Sequence, residues 1–388
     1  MIKTAVVILN WNTKGYLEKF LPPLIASMPE DAEVIVADNA STDGSMEMMA
    51  AKFPSVRRIE FDKNFGFTGG YNGALSRIEA EYCVLINSDI EVGKGWLEPL
   101  INTLDDNPDV GACGPKLLSY YDRDRFEYAG AAGGYMDKYG YPFCRGRVLK
   151  MVEKDRGQYD EPADVFWVTG ACLMVRRRVF EYLGGLDDRF FAHQEEIDFC
   201  WRLQMSGYRI RVVPQSVVWH LGGGTLPNDS PWKLKLNYRN NLMMLENNLA
   251  FTFAQEYTVG REAEILAERE AKYYLFGTPT EDAIAKKALR KAGRRIALRM
   301  IMDGCSALVY LVTFKLDYFK AVLSAHKEFW QDRQRWGYGE VVNFVQENPR
   351  SVVKGIYPHW IVMKAVLMKN RVFEEVADFS SKLSARCE

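Results

Sequence analysis

Short apolar runs that stop on polar residues punctuate the N-terminal part of this chain. AVVIL (5–9) runs into Asn10, EVIVAD (33–38) ends on Asp38, and YCVLINSD (82–89) ends on Asp89. Continuous apolar runs of this length predict buried strands. SVRRIEF (55–61) predicts a further strand. Between them, YLEKFLPPLIASM (16–28) has helical spacing blemished by a proline pair, and TGGYNGALSRI (68–78) reads as a glycine turn entering a helix. NASTDGS, after the second run, has the Asx and hydroxyl content of a turn and a helix N-cap. Strands alternating with helices predict a doubly wound α/β domain with a mostly parallel central sheet. In such sheets ligands bind at the carboxyl ends of strands, where Asn10, Asp38 and Asp89 fall.

Residues 110–165, rich in glycine and aromatics with poor periodicity, read as loops and short antiparallel strands that cover a site. VFWVTGACLMVRRRVFEYLGGLD (165–187) predicts a strand and then a short helix closed by Gly184-Gly185. QEEIDFCWRLQMSGY (194–208) predicts a helix stopped by Gly207, and RIRVVPQSVVWH returns to strand, ending on His220 before a glycine triplet, 222–224. After about residue 230, strand patterns give way to helical stretches rich in Lys, Arg, Leu, Met and Ala. The expected division is a catalytic α/β domain over 1–230 and a helical region over 231–388.

With 388 residues, 48% of them hydrophobic, the chain can bury a large core. A formal net charge of −1 and a pI near 6.5 give no global field for nucleic acid, and no nucleic-acid partner is expected. Seven cysteines without a C-x-x-C pair read as small core residues in a reducing compartment. No secretory signal is visible, and no stretch reaches the roughly 18 uncharged apolar residues of a spanning helix. The expected location is cytoplasmic, either soluble or peripheral on the inner face of the plasma membrane.

Several segments, in order, carry a resemblance: VVILNWN, VADNASTDGS (36–45), NFGFTGGYNGAL (64–75), LINSDIEV (85–92), FWVTGACLMVRR (166–177) and FFAHQEEIDFCWRLQMSGYRIRVVPQSVVWHLGGGT (190–225). Together they resemble glycosyltransferase family 2, of the GT-A fold, over about residues 1–245. Within it the chain looks closest to the bacterial rhamnosyltransferase-like enzymes of cell-envelope polysaccharide synthesis. The resemblance implies a Rossmann-like nucleotide-sugar-binding domain. It also implies inverting transfer from a UDP- or dTDP-linked sugar to a hydroxyl of a glycan or lipid-linked glycan acceptor.

By that resemblance Asp38 accepts the ring N–H of the base, with Asn10 on the same rim. On its own the residue reads better as the cap of the NASTDGS turn, and the ordered family motifs reverse that reading. Asn64, Gly66 and Asn72 of the glycine-rich segment, with Ser88, are expected at the nucleotide or diphosphate, where glycine permits close approach and a helix N-terminus favours phosphate. Asn87-Ser88-Asp89 stands where the family has Asp-x-Asp, its first acid replaced by Asn. Asp89 and His220 are then the implied ligands of Mn²⁺ or Mg²⁺, the imidazole favouring Mn²⁺. A strand-end histidine bonded to backbone is the plain alternative for His220. Glu195 and Glu196 match the family's acidic pair, with Glu196 as catalytic base, while acids in a first helical turn also simply complement the helix dipole. Asp198 and Arg202 are spaced to pair along one helix face. Trp167, Gly170 and Ala171 are expected to face the donor or acceptor sugar.

KKALRKAGRRIALR (286–299) sets a basic stripe opposite Ile284, Ala288, Ala292 and Ile296. Such a helix can lie on an anionic membrane, or it can be the solvated face of a packed helix. A processive membrane-embedded synthase is disfavoured, since Q-x-x-R-W has only the near miss DRQRW (332–336). A sugar nucleotidyltransferase would carry a basic, glycine-rich loop where this chain has NWNTKGY. A degenerate transferase that only binds nucleotide is the non-enzyme alternative that Asn87 and Glu196 permit.

Overall fold

The structure, a computed structural model, describes residues 2–222, 230–259, 280–348, 352–367 and 372–376. The glycines at 223 and 224, and Cys387, lie outside the described residues. The chain divides into two compact units, one of residues 1–192, 209–227 and 355–388 and one of 193–208 and 228–354. This differs from a single boundary at 230, because the 195–205 helix joins the second unit and the 356–357 strand joins the first.

In the first unit, the apolar runs become β1 (Ile2–Asn10), β2 (Ala32–Asp38), β3 (Arg57–Glu60) and β4 (Ala80–Asn87). They pair in parallel in the order β3-β2-β1-β4, with Asn10 in register with Asp38. Further on come β5 (Ile90–Val92), β6 (Val110–Ser119), β7 (Gly134–Asp137), β8 (Pro142–Cys144), β9 (Arg147–Val148), β10 (Met151–Val152), β11 (Ala163–Asp164), β12 (Cys172–Arg176), β13 (Arg209–His220) and β14 (Ile356–Tyr357). The main sheet is mixed. Strand β12 runs antiparallel between β4 and β6, and β13 is parallel to β6. β5 and β11 flank β13 antiparallel.

Strand β6 corrects the sequence reading, which began its loop region at 110. VGACGPKLLS has two glycines, a proline and a lysine, so its local β-preference is low. Burial of every residue but Ser119 shows that tertiary position decides the matter. The rest of the stretch does form short antiparallel strands, β7 to β10, with β14 added in parallel on β7.

Helices α1 (Lys14–Ala26), α2 (Ser45–Lys52), α3 (Gly66–Leu75), α4 (Glu98–Asp106) and α5 (Arg177–Tyr182) cover this sheet. Pro22 and Pro23 stay inside α1, where Leu17, Phe20, Leu21 and Leu24 are buried. Packing of that apolar face holds a helix that proline alone would break.

The second unit holds α6 (Glu195–Met205), α7 (Pro231–Val259), α8 (Thr280–Val312), α9 (Leu316–Asp332) and α10 (Tyr338–Glu347). Helix α7 is its axis, and the polar residues that α7 buries find partners. Asn247 and Asn248 donate to Asp198 Oδ1 at 3.0 and 2.8 Å, while Arg202 Nε donates to Asp198 Oδ2 at 2.8 Å. Thr252 accepts from the Trp201 indole at 2.8 Å. Gln255 donates to the carbonyls of Met205 and Asn348. The expected Asp198–Arg202 pair forms, and it belongs to this anchor. Two short helices, α11 (Ile361–Leu367) and α12 (Phe373–Val376), lie in the first unit, where Phe373 packs beside Tyr135, Phe143 and Tyr159.

Among the described residues no disulfide forms. Five cysteines are buried and Cys305 is exposed. No helix of the described residues is long and apolar enough to cross a membrane.

Candidate active site

The carboxyl ends of β1 and β2 meet in a closed polar clasp. Asn10 donates from Nδ2 to Asp38 Oδ1 at 2.7 Å and to Ser41 Oγ at 3.0 Å, and its Oδ1 accepts from the Thr13 backbone and hydroxyl. Its amide is fully engaged, so Asn10 positions Asp38 and has no donor left for a ligand. Asp38 Oδ2 accepts from the Ser41 backbone at 2.9 Å, so the turn-capping role is real. A carboxylate oxygen has two lone pairs, and one donor on each leaves room for a base N–H.

The glycine-rich segment does a different task from the one expected. Its glycines lie inside α3 instead of in a turn before it. Gly66 has φ +72°, and a Cβ there would stand 2.6 Å from the Phe191 carbonyl oxygen. That carbonyl accepts from the amides of Phe67 at 2.7 Å and Thr68 at 3.3 Å, so the chain itself caps the helix N-terminus. At Gly70 a Cβ would meet Leu9 at 2.6 Å and Asn39 at 2.8 Å. These glycines let α3 sit against the β1 and β2 ends. Asn64 Oδ1 accepts from the Gly66 amide at 2.8 Å. Asn72 donates to the Leu186 carbonyl and Asp188 and accepts from the Leu186 amide. Asn72 thus clamps the 186–188 loop, and its amide has no group left for a phosphate.

The end of β4 and the end of β13 bring a charged group together. His220 Nε2 lies 3.2 Å from Asp89 Oδ1 and 3.5 Å from the Asn87 amide nitrogen. On the other side its Nδ1 lies 3.3 Å from Glu127 Oε1, without hydrogen-bond alignment. Asp89, Glu127, Ser88 and His220 are all buried. Burial opposes a charged imidazole, but Glu127 and Asp89 outweigh it and push the His220 pKa up to about 10. Sequence reasoning found Asp89 and His220 and missed Glu127. Glu127 sits in the glycine- and aromatic-rich stretch, where no periodicity singles out one acid.

The arrangement suits a divalent cation. Asp89 and the His220 imidazole, once it gives up its proton, could hold such an ion, with the side-chain oxygen of Asn87 joining them and Glu127 behind the ring as an orienting carboxylate. Among the described residues no three His, Cys, Asp or Glu side chains form a complete metal cluster. Remaining positions would fall to phosphate oxygens and water.

Trp167 corrects the reading of a sugar-facing surface. It is buried, its indole donates to the Tyr135 carbonyl at 3.0 Å, and its ring covers Gly134. Gly170 is buried as well. Ala171 is buried beside the end of β4, its carbonyl accepting from the Asn87 backbone amide at 3.0 Å.

In the second unit, Glu195 and Glu196 open α6, where the helix dipole favours acids. Glu195 is buried, and burial, with Glu196 and Asp198 nearby, holds its carboxyl well above the usual range. Burial, with Lys233 adding to it, pushes the preceding His193 down to about 4.

Residues 5–184 match the family model of glycosyl transferase family 2. The chain is 26% identical, over 62% of its length and 83% of the relative's, to the N-acetylglucosaminyl-diphospho-decaprenol L-rhamnosyltransferase of Mycobacterium tuberculosis. It is 29% identical over 48% of its length to the O-antigen biosynthesis protein RfbC of Myxococcus xanthus, covering 15% of that protein. Among solved structures, GalNAc-T7 crystallised with UDP, GalNAc and Mn²⁺ aligns with a TM-score of 0.51 at 16% identity, over 76% of this chain and 55% of that one, a likeness of fold alone. The parallel β3-β2-β1-β4 block, the acid-ended strands and the family match agree: residues 5–184 form a glycosyltransferase family 2 domain, and the chain has a GT-A fold followed by a helical C-terminal region.

Proposed function

We propose that the protein transfers a sugar, with inversion, from a UDP- or dTDP-linked donor to a hydroxyl of a glycan or lipid-linked glycan during cell-envelope polysaccharide synthesis. The observation that carries this reading is the Asp89–His220–Glu127 group at the polar strand ends of a family 2 domain. The named activities of the mycobacterial and myxococcal relatives support the acceptor class. A cytoplasmic location, peripheral to the inner face of the plasma membrane, belongs to the same reading.

In this mechanism Asp38, held by Asn10 and the Ser41 amide, accepts the N–H of the base. Asp89 and His220 would hold Mn²⁺ or Mg²⁺, with Glu127 orienting the imidazole. A bound cation supplies Lewis-acid stabilisation to the departing diphosphate. Glu196 removes the proton of the acceptor hydroxyl as that oxygen attacks the anomeric carbon, a contribution of about 10²–10⁴-fold in rate. Burial and the neighbouring Glu196 hold the Glu195 carboxyl above its usual range.

The test is Glu196→Gln, with product formation and nucleotide binding measured in parallel. Turnover should disappear while the nucleoside diphosphate still binds. Full turnover would remove Glu196 from the role of base. The absence of an acid at Asn87 favours one other reading, a homologue that binds nucleotide without catalysis. Release of nucleoside diphosphate from a donor sugar, with or without acceptor, rules that out.

A further inference from the structure

The apolar stripe of the basic helix packs inward, and its outer face raises a separate question. Ile284, Ala288, Ala292 and Ile296, the apolar stripe read either as a membrane face or as the packed side of a helix, are all buried within the second unit. The outward face of α8 instead changes character along its length. Its first half exposes Lys286, Arg290 and Arg294. Its second half exposes Ile301, Leu308, Val309 and Val312, and the turn that follows exposes Phe314 at 88%. Ile301, Leu308 and Val312 recur at i, i+7 and i+11, on one helix face.

Phe314 is the sharpest feature. It has φ +57°, and the Lys315 amide donates to the Tyr310 carbonyl across it, a helix C-terminus that ordinarily ends in glycine. A bulky aromatic held in the left-handed region and left in solvent is costly twice over, in backbone strain and in exposed apolar area. Helix α9 continues the pattern, exposing Leu316, Leu323 and Trp330 with Lys320 and Lys327 between them.

We infer that this face, the apolar second half of α8 and the 313–316 turn flanked by basic residues, docks the protein on an anionic lipid bilayer. Charge decides the occupant. Between Asp282 and Asp317 the sole acid is Asp303, which is buried and bonded to Arg299 at 2.8 Å. A second copy of the face would set basic half against basic half, or basic half against apolar half. An anionic bilayer meets both halves, with phosphates at the basic half and acyl chains at the apolar half. A shallow cleft of about 460 Å³ lined by Tyr257, Lys286, Arg290 and Arg294 gives a headgroup phosphate a seat. The inference deepens the peripheral location proposed above by naming its surface.

The test is flotation of the full chain with vesicles of phosphatidylcholine alone or with added phosphatidylglycerol. Wild type should float with the anionic vesicles only. Phe314→Gly should raise the melting temperature by relieving the left-handed backbone, yet weaken vesicle binding about tenfold or more. Arg290→Glu with Arg294→Glu should weaken it by a similar factor. Absence of wild-type flotation, or flotation of both variants at wild-type level, overturns the inference. So does a dimer in sedimentation that Val312→Asp splits while vesicles go unbound. The readout is independent of sugar transfer, so loss of this inference leaves the transferase reading standing, and the reverse also holds.

Discussion

Two identical substitutions should act with opposite sign. Gly70→Ala and Gly293→Ala each add one methyl inside a helix, and helix preference alone favours each by about 1 kcal/mol. At Gly293 no atom lies within 4 Å of the new Cβ. There the gain stands, and the second unit should be stabilised by about 1 kcal/mol. At Gly70 the Cβ would stand 2.6 Å from Leu9 Cδ1 and 2.8 Å from Asn39 Nδ2. Overpacking of this kind costs about 1–3 kcal/mol. Displacing Asn39 also endangers its 2.8 Å bond to the Gly66 carbonyl, about 1 kcal/mol more. The net effect at Gly70 is a loss of about 1–3 kcal/mol. In calorimetry each kcal/mol moves the midpoint of a domain this size by roughly 2–4 °C. Asn39 follows Asp38, so Gly70→Ala should also weaken nucleoside diphosphate binding, while Gly293→Ala leaves it unchanged. A Gly70→Ala protein as stable as wild type would refute the claim that these glycines exist to let α3 approach β1.

Two further predictions concern charge. Glu127→Gln should weaken Mn²⁺ binding, measured calorimetrically in the presence of nucleoside diphosphate, by about 10–100-fold, as loss of an orienting carboxylate does; unchanged affinity would take Glu127 out of the site. Below pH 6.5 the unfolded chain takes up a proton at residue 193 that the folded one, with His193 near 4, refuses, so this residue withdraws up to roughly 3 kcal/mol of stability as pH falls from 6.5 to 4. Glu195, with its folded pKa raised, has the opposite sign: the stability it contributes is present at low pH and is lost as pH rises. Glu195→Gln should therefore be more stable than wild type above neutrality and lose stability more steeply on acidification, read from urea midpoints at several pH values; parallel curves would show that the pair does not titrate as assigned.

The strand ends were legible in the sequence because a buried strand is a local signal. An apolar run that stops at Asn10, Asp38 or Asp89 announces both the strand and the polar rim. Glycine was the misleading residue. In 64–75 it reads as loop, yet the absent Cβ atoms serve contact between a helix and two strands, which only tertiary structure reveals. β6 was hidden for a related reason, since its burial overrides the weak preference of VGACGPKLLS. Glu127 meets His220 across a long stretch of sequence, and no local pattern carries such a pairing. Trp167 is expected at the sugar by resemblance alone, but its burial and its indole bond to Tyr135 place it in the interior.

The threading of the first unit has a consequence for biosynthesis. Its small sheet takes β14 from residues 356–357, after the chain has left to build the helices of the second unit. A ribosome must therefore emit the chain through residue 357 before that sheet gains its last strand. A fragment stopped at residue 230 would also strand α6, with Trp201 and Asp198 deprived of their α7 partners Thr252, Asn247 and Asn248. Such a truncation should misfold and precipitate, even though it keeps the entire segment matched by the family.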